Sequence, residues 1–322
     1  MKTSRWVVTL ATVLGITLAF PQAAQAEYRK SGKRHAAARH AAKSPAKKTV
    51  AVYRKTNRGA SEPDFMADGS PNIKSAAVLV QDSSSGEVLY SRNADSVVPI
   101  ASITKLMTAM VVLDAKPSLD EQIAVSDEDI DTIKGTHSRL YVGAELSREE
   151  MLRLALMSSE NRAASALGRN YPGGRAAFIA AMNRKSAELG LHNTRFYDTT
   201  GLNPSNVSSP QDLARMVEAA SHYPLIREFT TEREYRVAVG ERNMRFVNTN
   251  ALVSNPDWQI GVSKTGYTNE AGKCLVMKAW LREKPVIIVL LDSVGRLTRI
   301  GDANRIKKWV EKVSLGAQSA ME

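Results

Sequence analysis

Ser102 and Lys105 stand three residues apart in Ser102-Ile103-Thr104-Lys105, directly ahead of the nearly all-apolar run Leu106 to Leu113. On a helix that spacing puts a hydroxyl and an amine on one face, one turn apart. The amine can take the hydroxyl proton if its pKa falls well below the free value of about 10.4. Burial or a second cation nearby would lower it. The apolar run predicts a buried helix with the pair at its polar mouth. Alone the match is weak, because the same spacing arises at ordinary helix caps. Two further groups strengthen it. Ser159-Glu160-Asn161 sets a hydroxyl and an amide where an apolar helix ends. Lys264-Thr265-Gly266 follows the strand-like run Ile260 to Ser263 and offers a substrate carboxylate an ammonium, a hydroxyl and an uncluttered backbone. In this order, spaced 57 and 105 residues apart, the three form a specific pattern for acyl transfer through a serine.

The elements that must position these groups follow from pattern and turn chemistry. Ala76 to Val80 and Glu87 to Tyr90 read as a hairpin closed by Asp82-Ser83-Ser84-Ser85-Gly86. A long stretch of helical character runs from Ser102 to about Ser221. Within it Ser147-Arg148-Glu149-Glu150 is a capping box ahead of Met151 to Met157. Ser209-Pro210-Gln211-Asp212 opens another helix. Lys273 to Trp280 and Pro285 to Leu291 predict a second hairpin. Asn304 to Val313 predicts a closing helix with Ile306, Trp309, Val310 and Val313 on one face. Strands at both ends of a helical middle predict an α+β fold whose terminal strands share an antiparallel sheet.

Charge divides the chain. Residues 27–60 carry eleven basic residues and one acid, whereas 61–322 are almost neutral at −1, within a total of +11. The arm, 27–72, is rich in Ala, Lys, Arg, Ser and Pro and buries too little to fold. Its aromatics are too sparse for a stacking platform, so no nucleic acid is expected. It reads as a solvated tether, with weak attraction to anionic envelope polymers or lipid head groups as the second reading. Residues 1–26 hold Lys2, Arg5, the apolar run Trp6 to Phe20 and Ala24-Gln25-Ala26, the layout of a cleaved export signal. A membrane span needs about 20 apolar residues, and no second run approaches that length. The expected organisation is a signal at 1–26, the arm at 27–72, a catalytic domain at 73–315 and a tail at 316–322.

The three motifs resemble those of the penicillin-binding proteins, most closely the D-alanyl-D-alanine endopeptidases of the low-molecular-mass group. The likeness extends over Pro99 to Ala109, Leu156 to Ala164, Tyr171-Pro172-Gly173-Gly174, Thr200-Gly201-Leu202 and Lys264 to Asn269. It implies a β-lactamase/transpeptidase-like fold and a periplasmic enzyme that cleaves cross-linked peptidoglycan peptides and is acylated by β-lactam antibiotics. It further implies that Ser102 is the nucleophile, Lys105 its base and Ser159 the proton relay to the leaving amine. Asn161 would hold the substrate backbone, and Lys264 would keep the site positive. Thr265 would contact the substrate carboxylate, and the N–H groups of Ser102 and Tyr267, beside Gly266, would form the oxyanion hole. Arg299, counted along the final hairpin, would help bind the carboxylate, with Arg296 as second choice. Glu160 stands where the motif commonly has aspartate.

Rival readings are weaker on the residues. A β-lactamase needs a water-activating glutamate, and Glu188 to Asn193 is one residue too long for its spacing. A carboxypeptidase usually carries a second β-rich domain, whereas only 56 residues follow Gly266. A β-lactam sensor would need membrane spans, and a wall-binding module would not need Lys105. His137, His192 and His222 lack ligand spacing, so no metal or other cofactor is expected. Cys274 reads as a small buried hydrophobe, and Met107, Met110, Met151 and Met157 read as core.

Overall fold

The computed structural model describes residues 63–295 and 297–319, so the export signal, most of the basic arm and Arg296 lie outside the described residues. The chain begins with β1 (Ala77–Asp82) and β2 (Val88–Arg92), the hairpin that the Asp82–Gly86 turn predicts. β3 (Val98–Pro99) leads through a tight turn, Ala101–Ile103, into α1 (Thr104–Asp114). Then come β4 (Gln122–Ala124), β5 (Glu145–Ser147), α2 (Arg148–Met157), α3 (Asn161–Arg169) and α4 (Gly174–Glu188). β6 (Val207–Ser208), α5 (Pro210–Ala220) and α6 (Pro224–Thr231) follow. A hairpin of β7 (Glu234–Val239) and β8 (Arg242–Val247) precedes the long strands β9 (Gln259–Thr268), β10 (Gly272–Leu281) and β11 (Lys284–Ser293). α7 (Thr298–Ser319) closes the described chain.

The main sheet has the order β2-β1-β11-β10-β9 and is antiparallel throughout, joining strands from both ends of the domain around a helical middle. Both faces are covered, and the side-chain period of two sorts each inner strand between two cores. In β11, Ile287, Val289 and Leu291 face the helical core with Leu106, Met107 and Met110 of α1. Val286, Ile288 and Leu290 face the other way, against Ala303, Ile306 and Val310 of α7. A nearly continuous apolar run in β11 is therefore what a doubly covered strand requires. β9, which carries Lys264-Thr265-Gly266, is left at the edge.

Local signals set the helix boundaries. Ser147 accepts the Glu150 amide while Glu150 accepts the Ser147 amide, the reciprocal cap that starts α2. Ser209 accepts from the Asp212 amide to start α5, with Pro210 in its first turn. The helical stretch expected from 102 to 221 is interrupted at length at 115–147 and 189–209, where Pro117, Gly135, Gly143, Gly190 and Gly201 break it, and briefly at 158–160 and 170–173. α7 starts six residues earlier than its apolar stripe suggests, because that stripe begins only where the helix meets the sheet at Ala303. Arg299 consequently sits in the first turn of α7 and not on the hairpin. Val313, expected on the apolar face, is half exposed. Residues 63–72, at the end of the expected arm, form a loop against α7 through Asp64–Lys308 at 2.6 Å and Lys312 over the Phe65 ring.

Asp302 of α7 ties this helix to the start of β1. It is fully buried and accepts from the amides of Lys74 and Ser75, the Ser75 hydroxyl and Arg305. Asp302→Ala leaves those donors and the guanidinium without their acceptor and is expected to cost about 3–5 kcal/mol. Urea unfolding checks this, and a loss under about 1 kcal/mol would refute Asp302 as the clamp.

Candidate active site

Ser102 lies in the tight turn just before α1, after Ala101, whose φ of 46° is unusual for a residue with a Cβ. The turn points the serine at Lys105, one helical turn on. Lys105 is 1% exposed, the long side chain of a helix otherwise sunk in the apolar core. Its Nζ has three partners: Ser102 Oγ at 2.8 Å, Asn161 Oδ1 at 2.8 Å and the Thr200 carbonyl at 2.7 Å. Burial lowers its pKa to about 7, against the opposing pull of the Asp198 and Glu160 carboxylates. The amine is thus poised to accept a proton from Ser102.

A second serine–lysine pair faces the first. Lys264 of β9, also 1% exposed, donates from Nζ to Ser159 Oγ at 2.8 Å and to the Thr265 carbonyl at 3.1 Å. Burial first, then repulsion from Lys105 and Arg299, pushes its pKa well below the usual lysine range. Repulsion couples the two amines, so a proton on one disfavours a proton on the other. Ser159 holds φ at 62° between α2 and α3, a left-handed kink that hands the chain over to Asn161 at the start of α3. Asn161 thereby reaches Lys105 with its oxygen while its Nδ2 donates to Thr136 Oγ1 at 3.0 Å.

β9 supplies the other wall. Gly266 has no side chain where a Cβ would stand 2.9 Å from the Ile100 carbonyl and 3.2 Å from the Ser102 nitrogen. Glycine is what lets the edge strand close on Ser102. Thr265 bonds Thr249 Oγ1 at 2.6 Å, and Tyr267 stands exposed at the rim with Lys273 over its ring. Arg299 reaches across from α7 to the Gly266 carbonyl at 3.1 Å and the Cys274 carbonyl at 3.3 Å, its Nε buried without a hydrogen bond. All nine residues singled out in the sequence, Ser102, Lys105, Ser159, Asn161, Lys264, Thr265, Gly266, Tyr267 and Arg299, therefore gather at the junction of α1, α3 and β9.

Reading the sequence residue by residue passes over several contributors. Thr200 acts through its carbonyl, which no side-chain motif marks, and Asp198 cages the loop that presents it. The Asp198 carboxylate accepts from Thr200 Oγ1, the Gly201 amide and Asn206 Nδ2 at 2.5–2.9 Å. The detectable signal is Gly201, at φ 83°, where a Cβ would fall 1.9 Å from the Ala101 carbonyl oxygen. Thr136 comes from a loop with no regular pattern. Glu160 takes the Ser138 hydroxyl, and burial raises its pKa against the pull of Arg139, Lys105 and Arg162. A cavity of about 130 Å³ extends the cleft past Asn161, between Ile133, Arg175 and Leu202. Glu188 does not line this cavity but a separate hollow, with Asp114 at the C-terminal end of α1. Cys274 is fully buried, and burial pushes its thiol up to about 11, so it is inert packing.

Comparison with known proteins identifies the family. A family model described as D-alanyl-D-alanine carboxypeptidase matches residues 64–295. A D-alanyl-D-alanine endopeptidase of Pseudomonas aeruginosa is 50% identical over 241 residues, covering 74% of this chain and 78% of that one. A D-alanyl-D-alanine endopeptidase of Escherichia coli K12 is 47% identical over 243 residues, covering 75% of this chain and 78% of that one. Among solved structures, the DD-transpeptidase of Streptomyces K15 matches with a TM-score of 0.69 at 31% identity, covering 74% of this chain and 97% of that one.

Proposed function

We propose, because this chain belongs to the D-alanyl-D-alanine carboxypeptidase family of serine peptidases, that it is a D,D-endopeptidase hydrolysing D-alanyl cross-links in peptidoglycan. The observation that carries the reading is the buried, hydrogen-bonded Lys105 with a pKa of about 7 beside Ser102. Neutral Lys105 takes the Ser102 proton as Oγ attacks the D-alanyl carbonyl, giving a tetrahedral oxyanion next to the Ser102 and Tyr267 amides. Each such donor contributes roughly 2.7–4 kcal/mol. The amine leaves with a proton relayed through Ser159, which Lys264 backs at 2.8 Å. Water then hydrolyses the acyl-serine, with Lys105 as its base. The carboxylate next to the scissile bond sits by Thr265, Lys264 and Arg299, and its charge favours a protonated Lys264. A β-lactam offers the same carbonyl and carboxylate, and its tethered leaving group keeps the acyl-enzyme from clearing.

The choice of endopeptidase over carboxypeptidase rests on the two relatives at 47–50% identity, both named endopeptidases. The signal at 1–26 supports export to the periplasm, where the substrate lies, and the basic arm suits contact with anionic envelope polymers. Incubating the mature protein with purified cross-linked muropeptide dimers is expected to yield monomers. Release of terminal D-alanine alone would overturn the endopeptidase assignment and favour the carboxypeptidase.

A further inference from the structure

The hydrogens around Lys105 can be counted. A neutral lysine amine has two N–H groups and one lone pair, and its Nζ has three oxygen neighbours. The Thr200 carbonyl can only accept. If Asn161 also presents its oxygen, both N–H groups are committed, and the lone pair is left facing the Ser102 hydroxyl. If Asn161 presented its NH2 instead, that group would cap the lone pair and the serine would lose its base. The direction of proton transfer therefore depends on which way round the Asn161 amide sits.

The 131–136 loop decides this. Asp131 accepts at Oδ2 from the Thr136 amide at 2.8 Å and the Thr136 hydroxyl at 2.7 Å, and at Oδ1 from the Ile133 and Lys134 amides. Burial works to raise the Asp131 pKa, but these donors outweigh it and keep the carboxyl below its usual range, so it is an acceptor only. The Thr136 hydrogen is spent on Asp131, so Thr136 Oγ1 can only accept from Asn161. The atom 3.0 Å away must be Nδ2, which turns Oδ1 toward Lys105. The Lys134–Glu270 ion pair ties the same loop to the turn after β9.

We infer that Thr136, held by Asp131, is a positioning residue that fixes the Asn161 amide and so reserves the lone pair of neutral Lys105 for Ser102. This deepens the serine–lysine reading and rests on it.

The consequence has a particular pH signature. In Thr136→Val the amide is free to flip, but only when Lys105 is neutral, because the ammonium needs the amide oxygen and has no lone pair to be capped. The other charges around Lys105, namely Asp198, Glu160 and Lys264 with Arg299 beyond it, are unchanged. The readout is the second-order rate of acylation of the mature protein by a fluorescent penicillin, from about pH 5 to about pH 9. Thr136→Val is expected to be about tenfold slower on the alkaline plateau, equivalent to about 1.4 kcal/mol. Its ascending limb should move down by about one pH unit and meet the wild-type profile at the acid end. Thr136→Ser keeps the hydroxyl and should follow the wild type. A profile lowered by the same factor at every pH, or not lowered at all, overturns the inference while leaving the serine–lysine reading intact. A wild-type protein that is not acylated sinks both.

Discussion

Lys105→Ala is expected to slow acylation of Ser102 by penicillin about 10²–10⁴-fold, the range for losing a positioned general base. Ser102→Ala should abolish labelling outright. The fold should survive the lysine change, since α1 is anchored by Leu106, Met107, Ala109 and Met110, all fully buried. The wild-type rate should fall about tenfold per pH unit below the Lys105 pKa of about 7 and level off above it. The residual rate of Lys105→Ala should lack that limb. Rates of fluorescent penicillin labelling, with thermal unfolding as the control for folding, check both outcomes. Unimpaired labelling of folded Lys105→Ala would refute Lys105 as the base.

The same burial has a thermodynamic side. Lys105 binds its proton more weakly in the folded protein, at about 7, than in the unfolded chain, at about 10.4. Stability therefore rises with pH across that window; the penalty is complete below pH 7 and relieved as pH climbs toward 10.4. Lys264 is pushed in the same direction. Two buried amines on facing elements are a poor arrangement for stability alone, and the arrangement makes sense as the means of obtaining a neutral base at neutral pH.

What the sequence discloses follows from what physics writes into side chains. Ser102-x-x-Lys105 is legible because helix geometry fixes what three residues mean, and Ser147 and Ser209 because caps need particular oxygens. β11 is legible as a strand from its β-rich apolar run, whereas the cover on both its faces emerges only from the packing of α1 and α7. Backbone contributions are not written that way. The Thr200 carbonyl carries no residue preference of its own, and Thr136 enters the site through a loop held by Asp131. Arg299 is found by counting but assigned to the wrong element, since the first turn of α7 lacks the apolar period that marks the rest. The β7–β8 hairpin escapes notice although Tyr235, Val237 and Val239 alternate with exposed Glu234, Arg236 and Ala238, because only three apolar residues mark the strand.

Gly201 is the one silent position that the sequence does mark, and its replacement should have the largest effect away from the reacting groups. At φ 83°, a Gly201→Ala side chain is strained on its own account, and its Cβ would also stand 1.9 Å from the Ala101 oxygen and 2.9 Å from Thr104 Oγ1. The Ala101 atoms belong to the turn that carries Ser102, and residue 200 supplies a carbonyl to Lys105. Relief by moving either segment therefore pulls Ser102 and Lys105 apart. A misplacement of about 1 Å at a reacting pair costs on the order of 10²-fold in rate, so acylation should fall at least that far, with about 2–4 kcal/mol lost from stability. Gly143→Ala provides the comparison, because Gly143 has φ 88° but nothing within 4 Å of the added Cβ. It should lose only about 1 kcal/mol, from backbone strain, and label normally. If the two alanine variants behave alike, the close approach behind Ser102 does not control the site, and the backbone angle alone explains the glycine.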